Sequence, residues 1–348
     1  MENRDAPGAG RRYVLLIILL SLALAAAVVA ALFLGTVRLS LEDIQQALLY
    51  FAEKEGDGTS WTILFHIRLP RIILALAVGA ALSVSGAAFQ GFFRNPLADP
   101  YVIGASSGAA LGAALAVVGG FAGLGPVSPM SLMAFAGALG AVFLAFAISR
   151  SAGNPPPAAA LLLAGTALSA FFSALLSFIL VIHDRDLHRV YYWLLGSLSG
   201  ASWGQLGVSL PVMAAGCFML FLCMRPLDLL LQGDEVAESL GVNLRVTRLI
   251  IAFGASLATA AAVSAAGVIG FIGLVAPHSV RMMTGPSHRR LLPASALGGA
   301  LLVLLADIIA RIALAPMELP IGIITSLLGA PFFIYLLIRR GRNIGSFS

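Results

Sequence analysis

The chain has 348 residues, of which 59% are apolar and only 11% charged, with a formal net charge of +5. So few charges cannot cover the surface of a soluble protein of this size, where about a quarter of the residues would be charged. The positive balance does not point to nucleic acid, because the arginines stand between apolar runs, where membrane topology accounts for them.

The first apolar run, 14–34, holds 21 residues without a charge. At about 1.5 Å rise per residue it crosses a hydrocarbon core of roughly 30 Å. Arg4, Arg11 and Arg12 precede it. It exceeds the usual signal-peptide core of about 7–15 residues, so it reads as an uncleaved first membrane helix. Nine further apolar segments follow, at 67–92, 101–120, 131–149, 158–182, 205–224, 249–266, 268–277, 291–313 and 320–338. None shows the alternation of a membrane barrel strand. The fold class is therefore all-α, a polytopic membrane protein of about ten transmembrane helices in one domain spanning 1–348. The eighth segment is too short to span alone and requires burial among other helices. Residues 190–195 read as a short helix at the surface.

Alternating the segments with the N-terminus inside puts fourteen of the 21 basic residues on the inner side. That bias supports cytoplasmic tails at 1–13 and 339–348 and a cytoplasmic loop at 225–248. The outer segment 42–57 is acidic. Gly104, Gly108 and Gly112 recur at a four-residue spacing that lets helix backbones approach closely in lipid. Arg68-Leu-Pro-Arg71 and Arg245-Val-Thr-Arg248 open two similar apolar runs from opposite sides, an echo of the inverted repeats common in transporters.

Chemistry is sparse. The single lysine, Lys54, follows Glu53, so the chain has no Gly-x-x-x-x-Gly-Lys-Ser/Thr loop and any ATP energy must enter through another subunit. No catalytic residue and no metal site is expected. Cys217 and Cys223 lie on nearly opposite helix faces and cannot pair. His183 and His188 flank a charged outer stretch and read as solvated. Asp307 is the clearest ionisable group within a segment, and Arg311, one turn on, can pair with it. The absence of midplane carboxylates argues against the alternative of an ion-coupled secondary transporter.

Two regions suggest partners. In the inner loop, Asp234 can cap a short helix, Glu235 and Glu238 suit its N-terminal end, and Gly241 can stop it. Val236, Ala237 and Leu240 would leave an apolar patch for a partner's groove or for lipid. On the outer side, Arg68, Arg71 and Arg311 stand against the charge bias. Their stems can snorkel while the heads stay at the surface, holding an external partner's carboxylates or pairing locally.

These stretches, with Gly91-Phe-Phe-Arg-Asn95-Pro96-Leu-Ala-Asp99-Pro100, Tyr192-Trp193-Leu-Leu-Gly196-Ser, Gly270-Phe-Ile-Gly-Leu-Val-Ala-Pro277-His278, Glu318-Leu-Pro320-Ile-Gly322 and Leu328-Gly-Ala-Pro331, run from about 60 to 340 in the order of a known family. The chain resembles the FecCD-type permeases of ABC importers for iron-siderophores, haem and cobalamin. The resemblance implies a type II ABC importer permease fold and a multi-pass subunit of a bacterial or archaeal cytoplasmic membrane. It implies partners as well: a second copy of the chain, two cytoplasmic ABC ATPases that carry ATP and magnesium, and an extracytoplasmic substrate-binding protein. Arg68, Arg71 and Arg311 match arginines that meet glutamates of the binding protein. Residues 233–241 match the coupling helix. The fifth and tenth helices would line the path, with Thr166, Ser169 and Ser173 as polar candidates on the fifth. Asn154 and Pro155 match the inner-gate region. This chain would bind no cofactor, and iron chelates rank first among the cargoes by their frequency in the family.

Overall fold

The computed structural model describes residues 9–37, 39–53, 58–121, 125, 127–153, 157–184 and 187–344. Among them there is no β-strand, only an isolated bridge between Leu314 and Met317. In chain order the helices are α1 (Ala9–Phe33), α2 (Leu41–Glu53), α3 (Gly58–Trp61), α4 (Leu69–Phe92), α5 (Ala105–Val118), α6 (Pro129–Ser149), α7 (Ala158–Ile182) and α8 (Leu187–Leu194). There follow α9 (Trp203–Leu222), α10 (Met224–Leu230), α11 (Asp234–Ser239), α12 (Leu244–Ala266), α13 (Ile272–Thr284), α14 (His288–Ile312) and α15 (Ile321–Ile344). Among the described residues seven spans are long and apolar enough to cross a membrane, and the shorter apolar helices α5 and α15 join them in the bundle.

The element boundaries follow from local chemistry. A π-helical turn, Thr62–Arg68, joins α3 to α4, so Gly58–Phe92 is one continuous 35-residue rod. The acidic outer segment read from the sequence holds the helix α2. Ser40 caps it reciprocally with Asp43: the Asp43 amide donates to Ser40 Oγ at 3.1 Å and the Ser40 amide to Asp43 Oδ2 at 2.6 Å. Residues 190–195 fall largely within α8, as expected.

Two expectations require correction. The eighth segment does not end at Pro277. Residues 268–271 are irregular, with Phe271 left-handed, and the helix α13 then runs through Pro277 to Thr284. Proline leaves the carbonyl four residues earlier without its helical donor. That carbonyl belongs to Gly273 and accepts instead from Gln90 Nε2 at 3.3 Å. The glycine triplet, too, is not one helix face. Gly108 and Gly112 pack against α6, where an added Cβ would lie 2.3 Å from Gly137 O and 2.0 Å from Met133 O. Gly104 precedes α5 in a left-handed conformation, which glycine adopts without strain, and faces Gly165 of α7.

The centre of the bundle is α4, surrounded by α9, α12, α13 and α14. About 78% of the apolar window of this rod is buried, and 67% in α12. These are the two helices opened by the paired-arginine motifs. The interior is built from small side chains, so backbones nearly touch. A Cβ on Gly79 would lie 2.3 Å from Gly299 O of α14, and one on Gly86 would lie 1.8 Å from Gly273 O of α13. By contrast α7 buries only 11% of its window, and Leu163, Phe171, Phe178 and Val181 project from it.

Candidate functional site

The functional candidates gather at the two ends of the α4–α14 pair. At the end expected to lie outside, the C-terminal turn of α1 leaves carbonyls without helical donors. Arg68 Nη1 donates to Leu32 O there and Nη2 to Val37 O just beyond the helix, and Arg311 Nη1 reaches Ala31 O at 3.4 Å. The last turn of a helix carries partial negative charge, so cations belong at this place. Arg71 bridges two carboxylates, with Nε 2.9 Å from Asp307 Oδ1 and Nη1 2.8 Å from Glu318 Oε2. Arg311 Nε lies 3.1 Å from Asp307 Oδ2, the pairing expected from the four-residue spacing.

Arg68, Arg71, Arg311 and Asp307 are all buried, with Asp307 fully so. The surface snorkelling expected for the three arginines is therefore not seen. The spare carbonyls of α1 and the carboxylates of Asp307 and Glu318 draw the heads inward. The result is one compact cluster of three guanidinium groups and two carboxylates, with Arg311 Nη2 lacking a hydrogen-bond acceptor. Glu318 was present in the sequence motif but carried no visible sign of this partnership, which spans 247 positions.

At the opposite end, expected to lie inside, Gly233 adopts φ 122° and starts the short helix α11. Asp234 does not cap it as expected. Its Oδ1 accepts from Arg94 and its Oδ2 from Arg248 Nη2 at 2.6 Å. A carboxylate flanked by two cations is better satisfied by them than by its own helix amides. Arg94 also donates from Nε to Leu230 O at 2.7 Å. The loop is thereby strapped to the ends of α4 and α12. Gly241, with φ 84°, terminates the helix as expected. Of the apolar trio, Val236 and Leu240 are exposed, but Ala237 is fully buried against the body and does not contribute to the patch. Glu235 and Glu238 are exposed beside them.

The adjoining helix α10 is fastened separately. Asp228 Oδ1 accepts from the His288 amide at 2.6 Å and lies 2.7 Å from His288 Nδ1, while Ser287 Oγ donates to Oδ2 at 3.0 Å. Burial alone would raise the Asp228 carboxyl, but these hydrogen bonds hold it below the usual carboxylate range. No sequence signal links Asp228 to His288. A cavity of about 400 Å³ separates α11 from the start of α7 and is lined by Phe93, Arg94, Pro157, Leu230, Asp234 and Arg248.

On α7, Thr166 and Ser173 are exposed and Ser169 is half-buried. Thr166 Oγ1 donates back to Leu163 O at 2.9 Å, and Ser169 lies beside Gly104. The three follow one another along a single helix and meet no charged group. Asn154 and Pro155 lie outside the described residues. Among the described residues no cluster of His, Cys, Asp and Glu could hold a metal ion, and Cys217 and Cys223 are unpaired.

The family model for the FecCD transport family matches residues 22–339. The cobalamin import system permease protein BtuC of Halobacterium salinarum is 47% identical over 282 residues, covering 81% of this chain and 75% of that protein. The hemin transport system permease protein HmuU of Yersinia pestis is 45% identical, covering 82% of this chain and 85% of its own. The Fe(3+) dicitrate transport system permease protein FecD of Escherichia coli is 39% identical, covering 93% and 98%. Among solved structures, a metal-chelate type ABC transporter in an inward-facing conformation superposes with a TM-score of 0.79 at 34% identity, covering 92% of this chain and 97% of that one.

Proposed function

This chain belongs to the FecCD transport family, as a permease of the metal-chelate ABC importer type, and from that premise we propose how its two ends are used. The chain pairs with a second copy in a cytoplasmic membrane, with both termini and α11 inside. Two separate ATPases bind ATP and magnesium and engage α11. A binding protein delivers the chelate at the outer end. The cargo is an iron-siderophore, haem or cobalamin. Relatives named for cobalamin, hemin and ferric dicitrate lie at 47%, 45% and 39% identity, a spread that supports the class rather than one member.

One observation carries the reading. Val236 and Leu240 stay exposed on a short helix whose base is fixed by Asp234 to α4 and α12. An apolar patch on a strapped helix suits a partner that pushes on it. The neighbouring cavity gives α11 room to move toward the start of α7, where Asn154 and Pro155 would gate the path. Thr166, Ser169 and Ser173 would line it, and the exposed face of α7 would meet the second copy.

The outer cluster supports docking through its charge. Three guanidinium groups meet only two carboxylates, and Arg311 Nη2 lacks an acceptor. A binding-protein glutamate would balance the excess. Within the described membrane-spanning helices Asp307 is the acidic residue, and it is held by two arginines at the outer end. This weighs against an ion-coupled carrier, which needs a carboxylate free to change charge near the midplane.

The test is uptake into proteoliposomes holding this chain, its neighbouring ATPase and its binding protein. Uptake is expected to vanish when the ATPase active site is disabled. Transport by the chain alone down an ion gradient would overturn the proposal. Absorption spectra of the purified binding protein separate haem from cobalamin.

A further inference from the structure

A groove of about 470 Å³ runs between α6 and α12. Its walls are stripes at helical spacing, Phe143, Phe146 and Arg150 on α6 and Leu249 and Phe253 on α12. Phe143 and Phe253 are 73% and 54% exposed, so the groove opens outward to the surroundings of the bundle. Gly140 leaves a gap in the α6 wall, where an added Cβ would meet nothing within 4 Å. At the deep end Ser256 is 2% exposed, and its hydroxyl has no hydrogen-bond partner.

Both stripes end in arginine on the same side of the bundle. Arg150 closes the α6 stripe, its guanidinium 5.6 Å from the Phe146 ring centre. Arg245 stands one turn before Leu249 on α12 and is exposed. Among the described residues, neither is paired with a carboxylate. The groove is thus apolar along its length, with Arg150 lining it and Arg245 one helical turn beyond Leu249 of its other wall. We propose that it is a binding site for one anionic phospholipid, with the phosphate held between Arg150 and Arg245 and an acyl chain along the two phenylalanines. Basic pockets between membrane helices at the cytoplasmic side hold anionic headgroups through the same chemistry. A zwitterionic lipid would fill the apolar part equally well but would bring its own cation to the arginines. The site itself does not depend on the transport reading, and only the assignment to the inner leaflet rests on the proposed orientation.

The test is native mass spectrometry of the full chain, delipidated in detergent and offered phosphatidylglycerol and phosphatidylcholine of equal chain length. The expected result is one retained phosphatidylglycerol per chain, preferred about thirtyfold, a size set by two headgroup-level cations. Combining Arg150→Gln with Arg245→Gln should bring retention down to that of phosphatidylcholine. Gly140→Leu, which meets no protein atom at its Cβ, should lower retention of both lipids while leaving the unfolding temperature unchanged. Equal retention of the two lipids by the unmodified chain would overturn the proposal, as would a preference that survives the double arginine substitution. Disulfide formation between two copies carrying Phe143→Cys would assign the groove to a protein interface instead.

Discussion

At Gly86 the α4 backbone meets the α13 backbone with no room for a methyl group, since a Cβ would lie 1.8 Å from Gly273 O. Overpacking of a tight interior costs about 1–3 kcal/mol even where side chains can yield, and here the neighbour is main chain. Gly86→Ala should therefore lower the thermal unfolding midpoint markedly, whereas Gly140→Ala, facing open space inside α6, should raise it slightly. Asp307 gives a second residue-scale expectation. Its carboxylate is fully buried between Arg71 and Arg311. Asp307→Asn keeps the shape but strands Arg311, at a cost of about 3–5 kcal/mol for breaking a buried pair on one side. The double change Asp307→Leu with Arg311→Met removes both charges, and denaturant titration in micelles should find it less damaged than the single one. The three outer arginines were conspicuous in the sequence because they stand against the charge bias. Their inward turn was not, because Asp307, Glu318 and the α1 carbonyls reach them from distant segments.

Elements tell the same story through their attachments. Helix α10 hangs on the start of α14 by Asp228, and its carboxyl sits below the usual aspartate value of about 3.9 because His288 and Ser287 hydrogen-bond the charged form. A folded pKa below the unfolded one stabilises the fold above the unfolded value. That contribution disappears as pH falls through the folded value. Asp228→Asn should thus lower the unfolding midpoint at pH 7, and the gap to the unmodified chain should close below about pH 4. A gap that is constant with pH would show that the carboxylate charge plays no part. Helices such as α1, α4 and α12 could be read from the sequence because each announces itself by a long apolar run. The extent of α13 could not, because Pro277 looks like a stop until Gln90, 183 positions from Gly273, takes over that residue's orphaned carbonyl. A search for long apolar runs also passes over α2, although Leu41, Ile44, Leu48 and Phe51 recur there at helical spacing.

Across the whole molecule, burial is lopsided. The rod Gly58–Phe92 is enclosed on most sides, while α7 lies bare along most of its length. A bare helix carrying Thr166 and Ser173 among its apolar residues suits an interface that is part seam and part passage. Ser173→Cys in the reconstituted complex should cross-link two copies through a short bismaleimide, with a yield that changes when the ATPases are trapped with ATP. Absence of any cross-linked pair would remove α7 from the dimer axis. The family and its succession of long apolar helices were legible because the motifs are long and contiguous. The straps that give α11 its mechanical grip were not, since Arg94 and Asp234 are 140 positions apart.

The outer ion cluster also sets a timetable for synthesis. Arg71 and Asp307 are separated by 236 residues. At about 5–20 residues per second, a ribosome needs on the order of ten to fifty seconds to deliver the second after the first. For that interval α4 is in or near the bilayer with a guanidinium whose final counter-charge has not yet been made. The newborn helix must wait with that end at the lipid headgroups, and it can settle to its final depth only when α14 arrives. Chains cut short before α14 carry an uncompensated cation on their central helix.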